Sequence, residues 1–442
     1  MKNREVDGGK LFREWAQKYD RRVRKITENP RPGMFKGNIL LYEMMRDYCR
    51  RELEAWESGR PMPVVYTVGN AAHRLWMACG FHTYVLDCFS DYLTREQAPY
   101  YLQLVRNLGF PDNTCDRVQA MAAMGICGHL PPPSMVVGEL SDCDPGAQAA
   151  LWAGRYWRVP TTSLDIPFEQ SFEAVEYVAE QLWEMVHLAE REFPGIKYDE
   201  ARLRQMQAWY REAAALERQI LLISKHKPCA VAGRNALRMP PRLLYADPRY
   251  PEYFRILYHE LRNRLDRGES VVKDGDEKFR VFWMCSAPFY EDPFGFLEER
   301  GCAIPLYEEG PGVPDKHVPG DEGSAIRFFG RKLENPVQEE AGVILCNHWA
   351  ATGERRVREV LLRCQQVGIE GLIHFLQPGC ETCNNLARVL GDRVEKELGI
   401  KNLYIEGWAQ DMEKHNEAEF EAKLDDWLKV CLAEKEARQK SR

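Results

Sequence analysis

Short apolar runs that each end in a turn, with helical patterns between most of them, constrain the fold of this chain more than any other feature. In the first half the runs are PVVYTVGN (63–70), PSMVVGELSD (133–142) and VPTTSLDIP (159–167). In the second half they are FRVFWMC (279–285), CAIPLYE (302–308), AGVILC (341–346), EGLIHFLQ (370–377) and NLYIEG (402–407). Apolar runs of this length, bounded by turn residues, are typical of strands buried inside a parallel sheet.

Helical patterns around these runs predict the domain organisation. Residues 1–60 predict a polar, helical N-terminal arm, and two long amphipathic patterns at 172–193 and 199–225 predict a helical connector. We therefore predict an α/β protein with two doubly wound, flavodoxin- or Rossmann-like domains whose sheets are mostly parallel. The predicted boundaries are 1–60 for the arm, 61–170 for the first α/β domain, 171–230 for the connector and 231–442 for the second α/β domain.

Composition and missing signatures narrow the functional classes. The net charge is −7 and the pI about 5.9, so no nucleic-acid surface is indicated. No apolar run approaches the ~20 residues that span a bilayer, and the opening MKNREVDGGKLFREW lacks the apolar core of a signal peptide. We predict a cytoplasmic protein. Signatures of Rossmann nucleotide sites, P-loops, zinc proteases and Ser hydrolases are missing from the sequence.

The chain has fourteen cysteines, of which three stand apart. Cys143 directly follows the run SMVVGEL, Cys380 follows EGLIHFLQ, and Cys115 in FPDNTCDRV lies beside a predicted helix N-cap. In open α/β sheets ligands bind beyond the carboxyl ends of the strands, and helix N-termini favour the metal-binding thiolate. Six other cysteines lie within apolar patterns of helical or strand-like spacing, so we predict that they are buried core thiols. They are Cys49, Cys79, Cys88, Cys302, Cys364 and Cys431.

The residues alone leave two interpretations of these three cysteines open: inert buried thiols, or ligands of one shared metal site. Their separations of 28 and 237 residues match no compact metal motif. Structural zinc is disfavoured because the chain has one CxxC, Cys380–Cys383, rather than a pair of such motifs. A thioredoxin-like redox motif is disfavoured because the usual sequence context of that motif is missing.

The motifs around the three cysteines resemble the 2-hydroxyacyl-CoA dehydratase and benzoyl-CoA reductase family. The stretches that carry the resemblance are NTCDRVQAMAAMGICG, HLPPPSMVVGELSDCDPG and IEGLIHFLQPGC, with looser similarity over about residues 60–432. The resemblance implies that Cys115, Cys143 and Cys380 bind the iron of one [4Fe–4S] cluster per chain and leave its fourth iron open. It also implies that Cys380 is a ligand and Cys383 is not.

The resemblance further implies partners and an activity. It implies an acyl-CoA substrate, a related second iron–sulfur subunit and a separate ATP-hydrolysing iron–sulfur activator, with no membrane or nucleic acid involved. Family dehydratases expel a hydroxyl group through a ketyl radical, whereas family reductases add electrons to an aromatic ring. The chain length, VGN at 68–70 and ILCNHWAATGERRVREVLL look closer to the larger subunit of ATP-dependent benzoyl-CoA reductase. An aryl-CoA reductase subunit is thus the leading prediction, and a 2-hydroxyacyl-CoA dehydratase subunit the alternative.

Three other interpretations stay open: a subunit that only relays electrons, a double-cubane reductase of small molecules, and a plain α/β protein with core thiols. Double-cubane relatives use six cysteines, and this chain has Thr67–Gly69 and Glu308–Gly310 where they tend to have two of them. A single cubane is therefore preferred. Cys127, Cys346 and Cys383 are extra thiols near the motifs, and the sequence gives them no role.

Several further residues are candidates for the site, each with a structural alternative. Asn70 could bind the thioester carbonyl or shape a turn; His348 and His129 could donate a proton or be ordinary hydrogen-bonded histidines; Cys285 could line the pocket or pack in the core. Basic side chains could bind the CoA phosphates or be solvated helix-end charges, namely those of Arg234, Arg238, Lys225 and Lys227.

Overall fold

The computed structural model describes residues 7–29, 35–141, 143–231, 241–309, 327–328, 331–347, 349 and 352–441. The chain divides into two compact units. Unit 1 consists of Met1–Ala214, Pro240–Phe254 and Pro314–Thr352, and unit 2 of Ala215–Met239, Arg255–Val313 and Gly353–Arg442.

Ten strands are present in the described residues. They are β1 (Val64–Thr67), β2 (His82–Val85), β3 (Met135–Glu139), β4 (Thr161–Leu164), β5 (Phe279–Met284), β6 (Cys302–Tyr307), β7 (Arg327–Phe328), β8 (Arg331–Lys332), β9 (Gly371–Leu376) and β10 (Lys401–Glu406).

The α-helices of the described residues, in chain order, are α1 (Lys10–Glu28), α2 (Gly37–Glu57), α3 (His73–Cys79), α4 (Leu86–Ser90), α5 (Gln97–Asn107), α6 (Asp116–Ile126), α7 (Asp144–Trp157), α8 (Phe172–Glu192), α9 (Glu200–Ser224), α10 (Tyr250–Asp266), α11 (Pro293–Glu298), α12 (Pro336–Leu345), α13 (Gly353–Val367), α14 (Glu381–Leu398) and α15 (Glu417–Lys440). Short 3₁₀ turns occur at Arg242–Leu244, Lys273–Gly275 and Met412–Lys414.

Unit 1 contains a four-stranded parallel sheet with the order β2-β1-β3-β4. Tyr66 of the central strand β1 pairs with Tyr84 on one side and Val136 on the other. All residues of β1 and β3 are buried, because helices cover both faces of a parallel sheet. Strands β7 and β8 form a separate antiparallel pair.

Unit 2 contains a second four-stranded parallel sheet, with the order β10-β9-β5-β6. In β5, β6 and β9 the buried residues are nearly continuous, as they are in the centre of the first sheet. Each unit therefore contains one four-stranded parallel sheet whose strands are joined by helical crossovers. The predicted fold class, two doubly wound α/β domains with parallel sheets, is confirmed.

Each unit has its own hydrophobic core. In unit 1, Val65 and Val137 of the sheet pack in one cluster with Leu182 of α8 and Val337 of α12. In unit 2, Phe282 and Leu372 of the sheet pack in one cluster with side chains of α13 and α14, among them Val360, Leu390 and Val394. These aliphatic and aromatic contacts fix the strands, and with them the loops at the strand ends.

Most of the predicted strands and long helices are confirmed, but one strand prediction is wrong. AGVILC (341–346) is not a strand: residues up to Leu345 belong to α12. Asn335 caps this helix, since its Oδ1 accepts hydrogen bonds from the backbone N–H groups of Val337 and Gln338 at 3.0 Å, and Pro336 occupies the first turn. This Asn-Pro start signal outweighs the apolar run that suggested a strand. Strand β2 was not predicted.

The division into two units is drawn differently from the predicted domain boundaries. The predicted arm and first α/β domain both lie in unit 1, and so does Pro240–Phe254, which was predicted in the second domain. Residues 314–352 belong to unit 1, because α12 packs against α8. The predicted connector is split, since α8 lies in unit 1 and the boundary falls within α9. Among the described residues, none of the helices is long and apolar enough to cross a membrane.

Candidate functional site

The strand order indicates the edge of each sheet at which a ligand is expected. In unit 1 the two central strands are β1 and β3, and in unit 2 they are β9 and β5. Ligands of open parallel sheets bind beyond the carboxyl ends of the strands, where neighbouring crossovers leave in opposite directions. Two of the three thiols predicted as ligands, Cys143 and Cys380, follow β3 and β9, one central strand of each sheet, whereas Cys115 precedes α6.

In unit 1, Cys143 is the N-cap residue of α7, and its Sγ accepts a hydrogen bond from the Gly146 backbone N–H at 3.4 Å. A Cβ atom at Gly146 would lie 2.8 Å from Val68 Cγ1 and 3.4 Å from Cys143 Sγ. Glycine at position 146 therefore allows the loop after β1 and the thiol to approach each other closely. Beside them the Asn70 N–H donates to Glu139 Oε2 at 2.5 Å.

Cys115 is also an N-cap residue, at the start of α6, a helix that packs against α7. The loop before it is held by Gln119, whose Nε2 donates to the carbonyl of Thr114 at 2.6 Å. Arg117 forms an ion pair with Asp91 at 2.8 Å. The prediction that Cys115 lies at a helix start and the prediction that Cys143 follows a strand are thus confirmed, and both residues belong to unit 1.

In unit 2, Cys380 is the N-cap residue of α14, a short turn after β9. Gly379 before it has φ +75°, a left-handed conformation that glycine adopts without strain. The turn is closed by the Cys380 N–H, which donates to the Gln377 carbonyl at 3.0 Å, and by Asn384 Nδ2, which donates to the same carbonyl at 2.8 Å. Cys380 therefore has a defined position at the positive end of a helix.

Two further cysteines lie beside Cys380. The Sγ atoms of Cys285, Cys380 and Cys383 all lie within 4.8 Å of one another. Cys285, which directly follows β5, and Cys383, in the first turn of α14, form a disulfide with Cα atoms 5.9 Å apart. When this disulfide is reduced, the three cysteines, here called the thiol triad, are soft sulfur donors of the kind that bind iron and other thiophilic metals.

A buried ion pair supports the triad. Glu308 Oε2 accepts from the Cys285 N–H at 2.5 Å, and its other oxygen accepts from Arg356 Nη2 at 2.8 Å. Arg356 Nη1 donates to the carbonyl of Thr382 at 2.7 Å. His374 lines the same small cavity as Cys285, Cys383 and Arg356, and burial lowers its pKa to about 4 although a hydrogen bond to Asn402 opposes this shift. His374 is therefore neutral at pH 7.

The cysteines in the cores are chemically different. Burial raises the pKa of Cys79 and Cys364 to about 12 and that of Cys431 to about 11, and it raises the pKa of Cys49, Cys88 and Cys302 as well. These thiols stay protonated at pH 7, and protonated thiols are poor metal ligands. Their predicted role as inert packing residues agrees with this.

The remaining candidates have different outcomes. His129 Nδ1 is hydrogen-bonded to the Tyr101 hydroxyl at 2.8 Å, which favours the structural interpretation of this histidine. Lys227 lies 3.6 Å from Glu370 in an ion pair. Cys127 and Cys346 are buried at helix C-termini, so Cys346 ends a helix and not the predicted strand. His348, Arg234 and Arg238 lie outside the described residues.

The residues fit a thiolate-bound metal group, but the ligand set stays a prediction. Cys115 and Cys143 belong to unit 1 and Cys380 to unit 2, all three as helix N-caps. The triad of unit 2 is a second thiol-rich set that contains Cys380. Sequence reasoning noted Cys285 as a strand-end residue but missed its pairing with Cys383; the CxxC next to Cys380 was the available signal.

Comparison with known proteins agrees with the position of these motifs. The family model of the 2-hydroxyglutaryl-CoA dehydratase D-component matches residues 70–426. Among curated proteins, the (R)-phenyllactyl-CoA dehydratase alpha subunit of Clostridium sporogenes is 22% identical over 345 residues, which cover 75% of this chain and 80% of that protein. The region that the family model matches includes all the cysteines of the two candidate sets.

Proposed function

This chain belongs to the 2-hydroxyglutaryl-CoA dehydratase D-component family, and on that basis we propose that it is the iron–sulfur subunit of an ATP-activator-dependent 2-hydroxyacyl-CoA dehydratase. The reaction removes water from a 2-hydroxyacyl-CoA thioester and leaves a 2,3-enoyl-CoA. The similar protein from Clostridium sporogenes is named for (R)-phenyllactyl-CoA, so this thioester is the first substrate to test.

The observation that carries the proposal is the position of Cys115, Cys143 and Cys380, each of which is the N-cap residue of a helix. The dipole of a helix N-terminus favours a thiolate, and the Cys143 sulfur also accepts a hydrogen bond from the Gly146 N–H. We assign these three thiolates as the ligands of one [4Fe–4S] cluster. A cluster with three protein ligands supplies one-electron chemistry and an open iron position.

The protein's own residues hold and shape this site. Gly146 lets the loop after β1 approach Cys143, and the Glu139 carboxylate fixes that loop through the Asn70 N–H. Asn70 is thereby placed beyond the end of β1, where it is a candidate to orient the thioester carbonyl. In unit 2, Gly379 and Asn384 fix the turn that presents Cys380.

The proposal includes two partners, which the family resemblance implies, and the absence of a phosphate-binding motif from the sequence agrees with a separate ATP-hydrolysing protein. A related second iron–sulfur subunit completes the enzyme, and a separate ATP-hydrolysing iron–sulfur activator supplies the low-potential electron. We expect the purified chain with dithionite alone to show no sustained turnover. Sustained turnover by the chain alone, without ATP, would contradict this requirement.

The test is an anaerobic assay of the chain with its related subunit, the activator, ATP and dithionite. We expect (R)-phenyllactyl-CoA to lose water, and about four irons per chain at full loading, as one cubane requires. About eight irons would instead support the double-cubane alternative. Benzoyl-CoA, assayed in parallel, tests the aryl-CoA reductase prediction, which rests on chain length and on the stretches VGN and ILCNHWAATGERRVREVLL. Ring reduction of benzoyl-CoA without dehydration of any 2-hydroxyacyl-CoA would overturn the dehydratase proposal.

A further inference from the structure

The cysteine pair Cys285–Cys383 lies beside the assigned ligand Cys380 but is not needed for the three-ligand cluster. The two residues are 98 positions apart in the sequence, and their Cα separation of 5.9 Å is within the range that a disulfide spans. Both side chains are almost fully buried, with 5% of Cys285 and 8% of Cys383 exposed. The other twelve cysteines lie outside this pair.

We propose that Cys285 and Cys383 are a redox-active thiol pair that reacts with peroxides and thereby spares Cys380. In the first step the Cys383 sulfur attacks a peroxide oxygen, the O–O bond breaks, the thiol proton goes to the departing hydroxide, and Cys383 becomes a sulfenic acid with release of water. In the second step Cys285 attacks the Cys383 sulfur, the S–S bond forms, and a second water leaves. Two thiols have then lost two electrons and two protons, and hydrogen peroxide has been reduced to two waters.

The protein holds the two thiols together without the help of the sulfur–sulfur bond. Glu308 binds the Cys285 N–H and also Arg356, and Arg356 binds the carbonyl of Thr382, the neighbour of Cys383. This Glu308–Arg356 bridge is buried, with 3% of Glu308 and 6% of Arg356 exposed. The reduced thiols therefore stay adjacent, and the second step is a fast intramolecular reaction.

The cavity beside the pair limits which oxidant can reach it. Arg356 and residues at the start of α14 both line this cavity. The cavity at the pair is small and lined by apolar side chains such as Met284, Leu386 and Leu390. It suits a small oxidant such as hydrogen peroxide rather than a bulky one.

The cysteine pair can protect Cys380 because the three sulfur atoms lie close together. The Cys380 Sγ lies within 4.8 Å of both sulfurs of the pair, so an oxidant that reaches one reaches all three. A thiol with a neighbouring thiol forms a reversible disulfide, whereas a thiol without one is oxidised further to the irreversible sulfinic acid. The pair therefore consumes the oxidant reversibly at the position where a cluster ligand would otherwise be lost.

The experiment measures thiols, so its result is separate from that of the dehydratase assay. The anaerobically purified full chain is treated with graded hydrogen peroxide, denatured in excess N-ethylmaleimide, and mapped by mass spectrometry. We expect labelled thiols to fall from fourteen to twelve with one equivalent consumed, and the lost pair to appear as a linked peptide containing Cys285 and Cys383. Dithiothreitol should restore both.

Variants separate the pair from its neighbours. In Cys285→Ser, we expect Cys383 and Cys380 to accumulate sulfinic acid several-fold faster than in the unchanged chain, while iron content before peroxide stays the same. Cys364→Ser is the matched control, since Cys364 is a buried thiol of the same unit, and its oxidation pattern should equal that of the unchanged chain. Arg356→Lys should slow disulfide formation without abolishing it, because the bridge to Thr382 is weakened.

Three results would overturn the proposal. One is that all fourteen thiols survive peroxide doses that already release iron. Another is a linked peptide that joins Cys380 to either partner and excludes the other. The third is a loss of iron in Cys285→Ser before any peroxide is added, which would make Cys285 a metal ligand rather than half of a redox pair. These three results are measured on thiols, linked peptides and iron, so a failure of the dehydratase assay would not change them.

Discussion

The two parallel sheets are built alike, yet the loops after their first strands carry different chemistry. Beyond β1 the Asn70 N–H donates to Glu139, and beyond β5 the Cys285 N–H donates to Glu308, both at 2.5 Å. A carboxylate thus fixes the loop after the first strand of each unit. In unit 1 that loop carries an amide side chain, and in unit 2 a thiol. The scaffold sets the position, and the loop residue sets the chemistry.

The ends of two other central strands are alike. Cys143 follows β3 and Cys380 follows β9, and each begins a helix. The units differ again within the first turn of that helix: Gly146 in α7 leaves room for Val68, whereas Cys383 in α14 reaches Cys285. Unit 1 therefore packs the loop after β1 closely against the start of α7, and unit 2 brings three cysteines together.

The largest expected effect comes from the N-cap cysteines, which should act alike in both units. We expect Cys115→Ala, Cys143→Ala and Cys380→Ala each to lose the cluster iron and all dehydratase activity, because each removes one of three ligands. Unfolding free energy should change by only about 1 kcal/mol beyond the lost metal linkage, since all three lie at loop–helix junctions. Iron per chain after anaerobic purification measures the effect.

Cys383→Ser is the control for that series, since Cys383 lies in the first turn of the helix beyond Cys380. It should keep its iron. Loss of iron in Cys383→Ser but not in Cys380→Ser would reverse the assignment, and full iron in Cys115→Ala or Cys143→Ala would make the three-ligand set wrong.

The Glu308–Arg356 bridge should make unit 2 sensitive to the loss of a single charge. Arg356→Ala leaves the Glu308 carboxylate buried without its cation, which costs about 3–5 kcal/mol of unfolding free energy. Hydrogen exchange is measured in urea on peptides from each sheet, and we expect the loss of unfolding free energy to appear in the peptides of unit 2. The exposed Arg358→Ala, which removes a surface pair with Glu354, should change stability by less than about 0.5 kcal/mol. Equal effects of the two variants would contradict the role of the bridge.

Each unit also contains a buried histidine that burial keeps neutral: His73 in unit 1 and His374 in unit 2. Burial lowers the pKa of His374 to about 4 and lowers that of His73 well below its usual value. The unfolded chain takes up a proton at each ring near about pH 6.5, and the folded chain does not. Stability is therefore full above about pH 6.5 and falls as the pH drops toward about 4, by up to about 3 kcal/mol for His374.

The acid response can be assigned to each unit with one variant apiece. His374→Gln should flatten the pH dependence of hydrogen exchange in the second sheet and leave that of the first sheet unchanged, and His73→Gln should do the reverse. Stability that rises on acidification from about pH 6.5 to about pH 4.5 in the unchanged chain would contradict the sign of this prediction.

The smallest expected effects concern the two glycines that shape the cysteine loops. Gly379→Ala forces a left-handed conformation on a residue with a Cβ and should cost about 1–2 kcal/mol. Gly146→Ala places a Cβ atom 2.8 Å from Val68 Cγ1, and we expect a cost of about 1–3 kcal/mol from overpacking together with slower cluster loading. Gly399→Ala, at a helix end with φ +69°, is the control for left-handed strain without a ligand cysteine beside it. Faster iron loss in Gly399→Ala than in Gly146→Ala would contradict the loop assignment.

The sequence alone determined what depends on neighbours along the chain. Buried strands such as β3 and β9, the long helices α8 and α9, the helix start at Cys115 and the strand ends before Cys143 and Cys380 all follow from local hydrophobic period, turns and caps. The family was also predictable, because its motifs are short stretches around single cysteines. The strand prediction for the apolar run at 341–346 failed because a capping signal upstream overrode it.

Only the tertiary structure decided which distant residues meet. The strand orders, the pairing of Cys285 with Cys383 across 98 residues and the bridge between Glu308 and Arg356 depend on how strands pack side by side. No local pattern encodes such contacts, because their energy comes from burying groups that lie far apart in the chain. The sequence could therefore mark Cys380 as a ligand candidate, but the neighbours that surround its thiol emerged only when β5, β6 and β9 lay next to one another.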